Sequence, residues 1–497
     1  MTVPTQPSPA PDLAPSLRGV PLGLSFPLQG GDSQAWGESR ARPIDLLARF
    51  PVLKRMLKSR AFQPALQWFA LAGFTLAVVA GLIGTPAGNR NFGIVFVWIV
   101  WWAALMLMIV PFLGRAWCAA CPIPAPGEWL QRRGIISRIP RRLRTLHYHW
   151  PRWLKNIWLQ NAGFVLMALF SAIILTRPNI TAWALLGLTA LGLALSMMFD
   201  NRVFCRYVCP VGGFIGLYAT TAPLALRVKD TDICLMHTPK DCVTGNEYGY
   251  GCPWMTYPGG LTRNVDCGLC TECLKTCPKD NITLVWRAGG DELPAPREYR
   301  LDEAYKAFIM LGSALIYPVV FLGPWGWLKN WASIGSLTGW VLYAAAFLAI
   351  TLGVLPGVFW LVSAVSAAIA RPRLPTIQWF TRYAYALTPL GLAAWVAFSF
   401  GFVLVNGSYA ISTLSDPLGW GWNLLGTAGV AWTPADPMII SVLQIGVLMI
   451  GLVSALNTAY RIARQSHEAN WPAIKAALPI SVFMVAFVVI SLEMYLG

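Results

Sequence analysis

One short stretch concentrates reactive side chains: four cysteines with C-x2-C-x2-C-x3-C-P spacing, ending at Pro278. Thiolates are soft ligands, and this spacing lets one loop present three of them to a single [4Fe–4S] cluster. The three are Cys267, Cys270 and Cys273, whereas Cys277 is expected to ligate a neighbouring cluster. A zinc ribbon is the alternative, but it uses two separated C-x2-C pairs. The run therefore predicts an iron–sulfur site.

An incomplete second group of ligands precedes this run. Cys252 is followed by proline, like the last cysteine of a complete run, and is predicted to complete the first cluster. Cys234 and Cys242 would join Cys277 around a second cluster, which then lacks one thiolate. His237 lies three residues after Cys234, where a complete run has its second cysteine. We hypothesise that His237 is the fourth ligand, or that this cluster is [3Fe–4S]; a lone histidine is otherwise a surface or packing residue.

Two further cysteine pairs are each followed directly by a proline. Cys118 and Cys121 follow one predicted membrane span, and Cys205 and Cys209 follow another. An arginine and an aromatic residue precede each pair, which indicates a duplicated helical hairpin related by an axis along the membrane normal. Side-by-side packing of the hairpins would gather four thiols, and we expect a third iron–sulfur cluster there. A structural zinc ion, a dithiol redox pair and a copper site are the alternatives.

The composition places these ligands in a membrane protein. The chain has 497 residues, of which 56% are hydrophobic and 12% charged, and its mean hydropathy is +0.54. A soluble domain carries about 25% charged residues. Windows of about 20 apolar residues predict nine spans, of which the sixth is long enough to tilt or break. The spans are 64–85, 92–113, 157–176, 182–199, 305–323, 338–368, 384–406, 438–459 and 476–496.

Basic residues set the predicted orientation. Lys and Arg are concentrated in loops 114–156, 369–383 and 460–475, whereas the alternate loops are poor in cations. The positive-inside rule then puts the N-terminus and all 11 cysteines on the cytoplasmic side of the inner membrane, and the C-terminus outside. A disulfide framework is disfavoured on the reducing side. Because the basic residues cluster in short loops beside apolar runs, the net charge of +16 follows the topology signal of a membrane protein, and nucleic-acid binding is not expected.

The fold class that follows is a polytopic α-helical membrane protein with an inserted cytoplasmic ferredoxin-like domain for two clusters. The basic amphipathic segment over residues 39–62 is expected to lie on the membrane surface. A solvated helix is the alternative interpretation of this segment. The predicted parts are a disordered tail (1–38), a basic amphipathic segment (39–62), a four-span domain with the hairpin repeats (63–227), the iron–sulfur domain (228–300) and a five-span domain (301–497).

Other redox cofactors find little support in the sequence. None of the four histidines lies within a predicted span, where a haem in a helical bundle would have its axial ligands. A G-x-G-x-x-G turn after a strand, typical of flavin and nicotinamide sites, is absent from the sequence. Electrons are therefore expected to arrive from a protein partner or from quinone. Glu493, inside the last span, is a candidate for a proton-coupled quinone role.

With these motifs, the chain resembles the membrane-bound polyferredoxins of the NapH, NosR and CcoG type. The matching residues are the segment from Arg202 to Gly212 and the run from Cys267 to Pro278. The resemblance covers about residues 60–290. It implies a membrane redox protein with cytoplasmic or membrane-edge iron–sulfur clusters that passes electrons from quinol to partners, or supplies them for metalloenzyme maturation. The chain departs from that pattern in its C-x2-C-P first pair, its single complete run and its five further spans.

The sequence therefore predicts an electron-transfer protein, an oxidoreductase component that links a cytoplasmic carrier to the membrane quinone pool. An acidic ferredoxin or flavodoxin would suit the basic loops, and a membrane redox complex is another partner class. One alternative is an assembly factor that reduces a metal ion or a disulfide for another membrane enzyme. A second alternative is a transporter-like module that senses redox state.

Overall fold

The computed structural model describes residues 43–136, 144–294, 299–372 and 374–496. The tail predicted over 1–38 lies outside these residues. Three strands are described: β1 (Ile44–Asp45), β2 (Leu224–Val228) and β3 (Ile282–Trp286). The helices are α1 (Leu46–Arg49), α2 (Pro51–Lys58), α3 (Phe62–Ile83), α4 (Phe92–Ala120), α5 (Ala125–Gln131), α6 (Trp158–Leu169), α7 (Ser171–Ile174), α8 (Pro178–Met198), α9 (Pro210–Ala219), α10 (Thr231–Met236), α11 (Asp241–Thr244), α12 (Glu272–Thr276), α13 (Leu301–Phe321), α14 (Gly326–Ala332), α15 (Leu337–Ala370), α16 (Thr376–Asn406), α17 (Tyr409–Ser415), α18 (Pro437–Arg464) and α19 (Asn470–Leu496).

Eight helices of the described chain are long and apolar enough to cross a membrane: α3, α4, α8, α13, α15, α16, α18 and α19. The predicted span 157–176 is the exception, because it is divided into α6 and α7. At Phe170 the backbone leaves the helical conformation (φ −97°, ψ 7°), and its ring stacks on Trp340 with 5.1 Å between centroids. The 12 residues of α6 rise only about 18 Å, against about 30 Å for a bilayer core.

The predicted irregularity of the sixth span is a change of helix type. Helix α15 runs through 34 residues and turns π-helical over Ala349–Val354, next to Pro356. Helix α4 is likewise π-helical over Val95–Trp101 and Ala104–Leu113, and Pro111 lies inside the second of these segments. Proline cannot donate an intrahelical hydrogen bond, and a wider turn accommodates it. In α4 the helical backbone is then interrupted at Gly114, three residues after Pro111, where φ is +58°.

Close packing between the two hairpins depends on small residues. A Cβ atom on Gly81 of α3 would lie 2.7 Å from the carbonyl oxygen of Pro178 and 2.8 Å from the Cβ of Ala182, both in α8. Asn91 closes the loop between α3 and α4, because its amide donates to the carbonyl of Ala80 at 2.8 Å while its side-chain oxygen caps α4 through the amide of Gly93. Small residues at such crossings are typical of membrane helix pairs.

One hydrophobic core joins the early and the late spans. Helices α13 and α16 are the most buried of the eight, and they contact residues of α4 and α9. At this contact Trp102 packs on Trp395 with 5.6 Å between ring centroids and donates its indole N–H to Ser399 at 2.9 Å. The five-span region is therefore packed against the hairpins that carry the cysteine pairs.

The cysteine-rich segment is organised around a small antiparallel sheet in the order β1-β3-β2. In this sheet Leu224 pairs with Trp286 and Val228 with Ile282. Strand β1 adds Ile44 to the other edge of β3, opposite Trp286. Strand β2 thus begins four residues before the predicted domain start at 228, and the N-terminal segment contributes an edge strand.

Candidate iron–sulfur sites

The four cysteines of the two hairpins lie together and form the membrane-edge set: Cys118, Cys121, Cys205 and Cys209. Cys118 lies in the last turn of α4, and Cys209 caps the first turn of α9. Burial, and then the nearby thiol of Cys209, raises the pKa of the Cys121 thiol. Burial also raises the pKa of Cys205, with contributions from the other three thiols. Four thiols, of which Cys118 and Cys205 are buried, therefore converge where the hairpins meet.

Backbone N–H groups face sulfur atoms of the membrane-edge set, as backbone amides do in iron–sulfur proteins. The amide of Gly212 donates to the Cys209 sulfur at 3.2 Å. This N–H partly offsets the burial that raises the pKa of Cys209 to about 11. The amide of Ile123 faces the Cys121 sulfur in the same way. Such donors stabilise thiolates and tune the potential of a bound cluster.

The second set, which we call the central set, consists of Cys252, Cys267, Cys270 and Cys273. Burial is the main cause that raises the pKa of Cys267 to about 11, and the thiol of Cys252 adds to it. The pKa of Cys273 is also raised by burial, followed by the thiols of Cys252, Cys270 and Cys267. The structure thus brings Cys252 to the three cysteines of the run, as its Cys-Pro pattern predicts.

Two contacts from the second hairpin hold Cys252 in place. The backbone amide of Arg202 donates to the carbonyl of Pro253 at 3.0 Å. The guanidinium of Arg206 donates to the carbonyl of Trp254. Because both arginines flank Cys205, the segment that carries Cys252 is attached to the loop that carries part of the membrane-edge set.

The third set, called the outer set, contains Cys234, Cys242 and Cys277. They line one small cavity, and His237 lines it with them. Burial, and then the thiols of Cys234 and Cys277, raises the pKa of Cys242 to about 12. Asn281 donates to two of the sulfurs, from its side-chain amide to Cys234 at 3.2 Å and from its backbone amide to Cys277 at 3.4 Å. Three thiols and one imidazole therefore surround this cavity.

The three sets follow one another in space. The thiol of Cys242 in the outer set also acts on Cys273 of the central set. Arg202 lies within electrostatic range of Cys270 in the central set and of Cys205 at the membrane edge. The central set therefore lies between the other two, which gives the order outer, central, membrane edge.

A buried ion-pair network supports the junction between the last two sets. Arg202 donates to the carbonyl of Cys118 at 2.6 Å and to the carboxylate of Glu128 at 2.6 Å. Arg132 makes a second ion pair with Glu128, also at 2.6 Å. Burial opposes ionisation of Glu128, but the two guanidinium groups outweigh it and lower its pKa to about 2. The network thus holds a cation beside groups that become anionic when they bind iron.

Polar contacts also connect the cysteine-rich segment to the five-span region. Arg263 forms an ion pair with Glu303 of α13, and Glu303 accepts a hydrogen bond from the hydroxyl of Tyr385 at 2.5 Å. One turn further along α13, Lys306 is fully buried and lies 4.5 Å from the ring of Phe164. Buried charges in membrane helices mark functional regions. Glu493, by contrast, is exposed near the end of α19.

The donor chemistry of the three sets fits iron–sulfur clusters. In the described part of the chain, no three His, Cys, Asp or Glu side chains are close enough to share one metal ion. A cubane presents four irons that each take one thiolate, so its ligands lie farther apart than those of a single ion. Iron binds thiolates, so metal binding to these cysteines would release protons. The first two sets offer four thiols each, and the outer set offers three with His237.

Sequence reasoning placed the eleven cysteines in three groups, whose role as ligands stays a prediction, and it missed the polar residues between the groups. Three such residues are buried beside the cysteine sets: Trp254, Arg115 and Glu128. Arg115 contacts Trp254, and Glu128 contacts Arg202, so each contact joins residues that are far apart in the sequence. A weak signal was available for Arg115, since an arginine precedes each cysteine pair by three residues. Trp254 and Glu128 have no comparable pattern.

The comparisons with known proteins concern mainly the hairpins. The family Fer4_5, a 4Fe-4S binding domain, matches residues 94–144 and residues 181–227. Each matched segment contains one cysteine pair of the membrane-edge set. The two hairpins are thus similar to the same domain family, and a 4Fe-4S binding domain supports iron–sulfur clusters as cofactors.

Two relatives extend the similarity. The "Putative electron transport protein YccM" of Escherichia coli (strain K12) is 25% identical over 210 residues, which cover 35% of this chain and 54% of YccM. The "Uncharacterized protein MJ0749" of Methanocaldococcus jannaschii is 22% identical over 246 residues, which cover 48% of this chain and 89% of that protein. The chain thus spans about half the length of YccM. No solved structure matches it significantly.

Together, the 4Fe-4S domain, the electron-transport relative and the eight apolar helices support a multi-pass membrane protein with an iron–sulfur electron-transfer role.

Proposed function

We propose that this chain carries electrons one at a time between a cytoplasmic redox protein and the quinone pool of the inner membrane. The outer and central sets would each hold a cluster, and the membrane-edge set would hold a third. The outer set would exchange electrons with a ferredoxin-like or flavodoxin-like carrier. The membrane-edge set would exchange them with quinol, which releases two electrons and two protons on oxidation to quinone.

The observation that carries this proposal is the spatial order of the three cysteine sets. Cys242 and Cys273 pack in one hydrophobic group, and Cys252 packs in another with Cys118 and Cys205. The three cysteines of the outer set are partly exposed, whereas Cys270 and Cys273 of the central set are buried. The membrane-edge set lies at the end of α4 and just before α9, where the neighbouring Trp117 and Val211 pack against the core shared with the five-span region. Such a line of sites suits the transfer of electrons.

The His237 position supports a second cluster of unusual ligation. The cavity that it lines contains the three remaining cysteines, and the described chain places no fourth cysteine there. A histidine in place of a thiolate removes one negative charge and raises the potential of a cluster. We therefore propose either histidine ligation or a [3Fe–4S] cluster in the outer set.

Counting iron tests the proposal directly. The full-length protein is purified without oxygen, its iron and acid-labile sulfide are measured, and EPR spectra are recorded after reduction by menaquinol or by reduced ferredoxin. We expect about ten to twelve irons per chain and clusters reducible by both donors. A variant with Cys205→Ser and Cys209→Ser should lose only the membrane-edge cluster.

Two results would contradict the proposal. About eight irons in the wild-type protein would mean that the membrane-edge set holds no cluster, and would favour an assembly factor that uses free thiols. Full iron content without any reduction by menaquinol would exclude the link to quinone. The double serine variant separates these cases, because it should match the wild type only when the membrane-edge set is not used.

A further inference from the structure

Two buried N–H groups without a hydrogen-bond partner lie between the central set and the membrane-edge set. They are the indole Nε1 of Trp254 and the Nε of Arg115. Trp254 is 2% exposed and Arg115 is 4% exposed, so bulk water does not accept hydrogen bonds from these two N–H groups. A buried donor left without an acceptor costs about 1–3 kcal/mol. Two such donors side by side therefore indicate that an acceptor belongs there.

The indole of Trp254 faces the ligand loop of the central set. A Cβ atom on Gly268 would lie 2.1 Å from Nε1 of Trp254, so only glycine fits between Cys267 and Leu269. The N–H therefore points at the loop that carries Cys267 and Cys270. On its other side the indole packs in one buried group with Cys118 and Cys205 of the membrane-edge set.

Arg115 is held by both sides of the same junction. Its guanidinium stacks on Trp254 with 4.3 Å between its central carbon and the ring centroid. It donates to the carbonyl of Gly212, near Cys209, at 3.1 Å, and to the carbonyl of Val265, just before the ferredoxin-type run. These two contacts use its terminal nitrogens, which leaves only Nε without a partner. The charge of Arg115 acts on Cys209 and on Cys267, one ligand of each set.

We propose that Trp254 and Arg115 form a donor bridge between the central cluster and the membrane-edge cluster. Their unpartnered N–H groups donate to cluster or cysteine sulfur, and the charge of Arg115 faces both sites. Reduction makes a cluster more negative, so a donor and a cation at this place stabilise the reduced form and raise its reduction potential. The stacked pair also fills the space across which an electron passes. This inference rests on the proposed function, because it requires clusters at both sets.

The test compares two tryptophans whose indole N–H groups both lack a partner. Trp254→Phe removes the N–H at the bridge but keeps an aromatic ring, and Trp340→Phe removes an equivalent N–H at α15 beside Phe170, away from the cysteines. EPR-monitored redox titration of the purified full-length proteins should show a lower midpoint potential of the central cluster in Trp254→Phe only. Arg115→Gln should lower the midpoint potentials of the central and the membrane-edge clusters together.

A measurement on the wild-type protein covers the case in which a bridge variant does not fold. Protein with 15N-labelled indole nitrogen is reduced, and the hyperfine coupling between the central cluster and nitrogen is recorded. An indole coupling supports the bridge, and its absence overturns it, as do unchanged potentials in folded Trp254→Phe. Iron content separates this failure from that of the proposed function. Full iron with no coupling overturns only the bridge, whereas about eight irons overturns the membrane-edge cluster itself.

Discussion

At the scale of single residues, the cysteine sets lie among buried cations. Arg202 and Arg115 are each less than 6% exposed and lie beside the central and membrane-edge sets. Four thiolates and their sulfides bring negative charge into a region of low dielectric, which is costly without nearby positive charge. The carboxylate of Glu128 partly neutralises the charge of Arg202. The net charge near the sulfurs therefore depends on these two residues and Arg115. Their substitution should alter cluster potentials before it alters the fold.

His237 gives the sharpest prediction at this scale. If the imidazole ligates the outer cluster, His237→Cys replaces it with a thiolate, adds one negative charge and lowers the midpoint potential. His237→Ala should convert the cluster to a [3Fe–4S] form and lower the iron content by about one per chain. EPR-monitored titration and iron analysis of the purified protein measure both effects.

The control for His237 is a histidine outside the cysteine sets. His147 lies beside Asp200, with 3.0 Å between Nδ1 and a carboxylate oxygen, and is not among the residues that line the outer cavity. His147→Ala should leave every cluster signal unchanged. Unaltered spectra and iron content in both His237 variants would show that His237 does not ligate iron.

Spacing could predict which cysteines of the run lie near one another, because short loops constrain cysteines that are close in sequence. Cys267, Cys270 and Cys273 must face one point whatever the rest of the chain does. The bridge residues could not be predicted this way, since Trp254 and Arg115 are 139 positions apart and meet only through the packing of α4 against the cysteine-rich segment. Residue pairs of this kind depend on tertiary structure.

At the scale of elements, periodicity and composition predicted most of the helices but not their local form. Eight of the nine apolar windows correspond to long helices. The division of the window at 157–176 depends on the stacking of Phe170 against Trp340, a contact between distant parts of the chain. The π-helical turns in α4 and α15 could not be predicted from a hydrophobic pattern with a period of 3.6 residues.

The basic segment before the first span makes contacts that its amphipathic pattern did not indicate. Lys54 and Lys58 of α2 both pair with Asp280, with nitrogen–oxygen distances of 2.5 Å and 2.8 Å. The hydroxyl of Thr271 donates to the carbonyl of Leu57 at 3.2 Å. Helix α2 is thus attached to the cysteine-rich segment, next to the loop of the central set. Its placement on the membrane surface stays a prediction.

Reversing these charges should release α2. Asp280 is 42% exposed on its side chain, so each ion pair contributes only about 0.2–1 kcal/mol. The pair Lys54→Glu and Lys58→Glu should increase amide hydrogen exchange over residues 46–58 several-fold, and adding Asp280→Lys should restore much of the protection. Unchanged exchange in the double variant would show that apolar contacts alone hold the helix.

The same contact has a defined pH dependence. Burial opposes ionisation of Asp280, but hydrogen bonds from Lys54 and Lys58 outweigh it and lower its pKa from 3.8 to about 2. A lowered pKa in the folded state stabilises the contact above pH 3.8, and this stabilisation is lost as the pH falls towards 2. Exchange protection of α2 should therefore be independent of pH from 5 to 8.

At the scale of the whole molecule, the two membrane regions behave as one packed body. Their shared core includes α4, α9, α13 and α16. Lys306 of α13 approaches the carbonyl oxygen of Gln160 at 3.4 Å, and the side chain of Gln160 donates to the carbonyl of Cys205 at 3.2 Å. A change at the membrane-edge set can therefore reach the five-span region through two contacts, which gives those additional spans a physical connection to the redox sites.

The number of crossings decides which side of the membrane each end occupies. Eight long helices alone would return the C-terminus to the side of the N-terminus. The predicted orientation requires nine crossings, with α6 and α7 together forming the ninth. Because α7 leads directly to Pro178 at the start of α8, the divided segment can complete a hairpin with α8. The C-terminus should then lie outside the cytoplasm, opposite the cysteine sets.

Reporter fusions test this arrangement in cells. Alkaline phosphatase, which is active only outside the cytoplasm, should be active when fused after residue 497 and inactive when fused after Gln465, where the chain has just left α18 through Arg461 and Arg464. Green fluorescent protein at the same two positions should give the opposite pattern. Phosphatase activity after Gln465 together with none at the C-terminus would place the last loop outside, which would mean that α6 and α7 do not cross. A fluorescent fusion at the N-terminus distinguishes that outcome from an inverted protein, because eight crossings leave both ends in the cytoplasm.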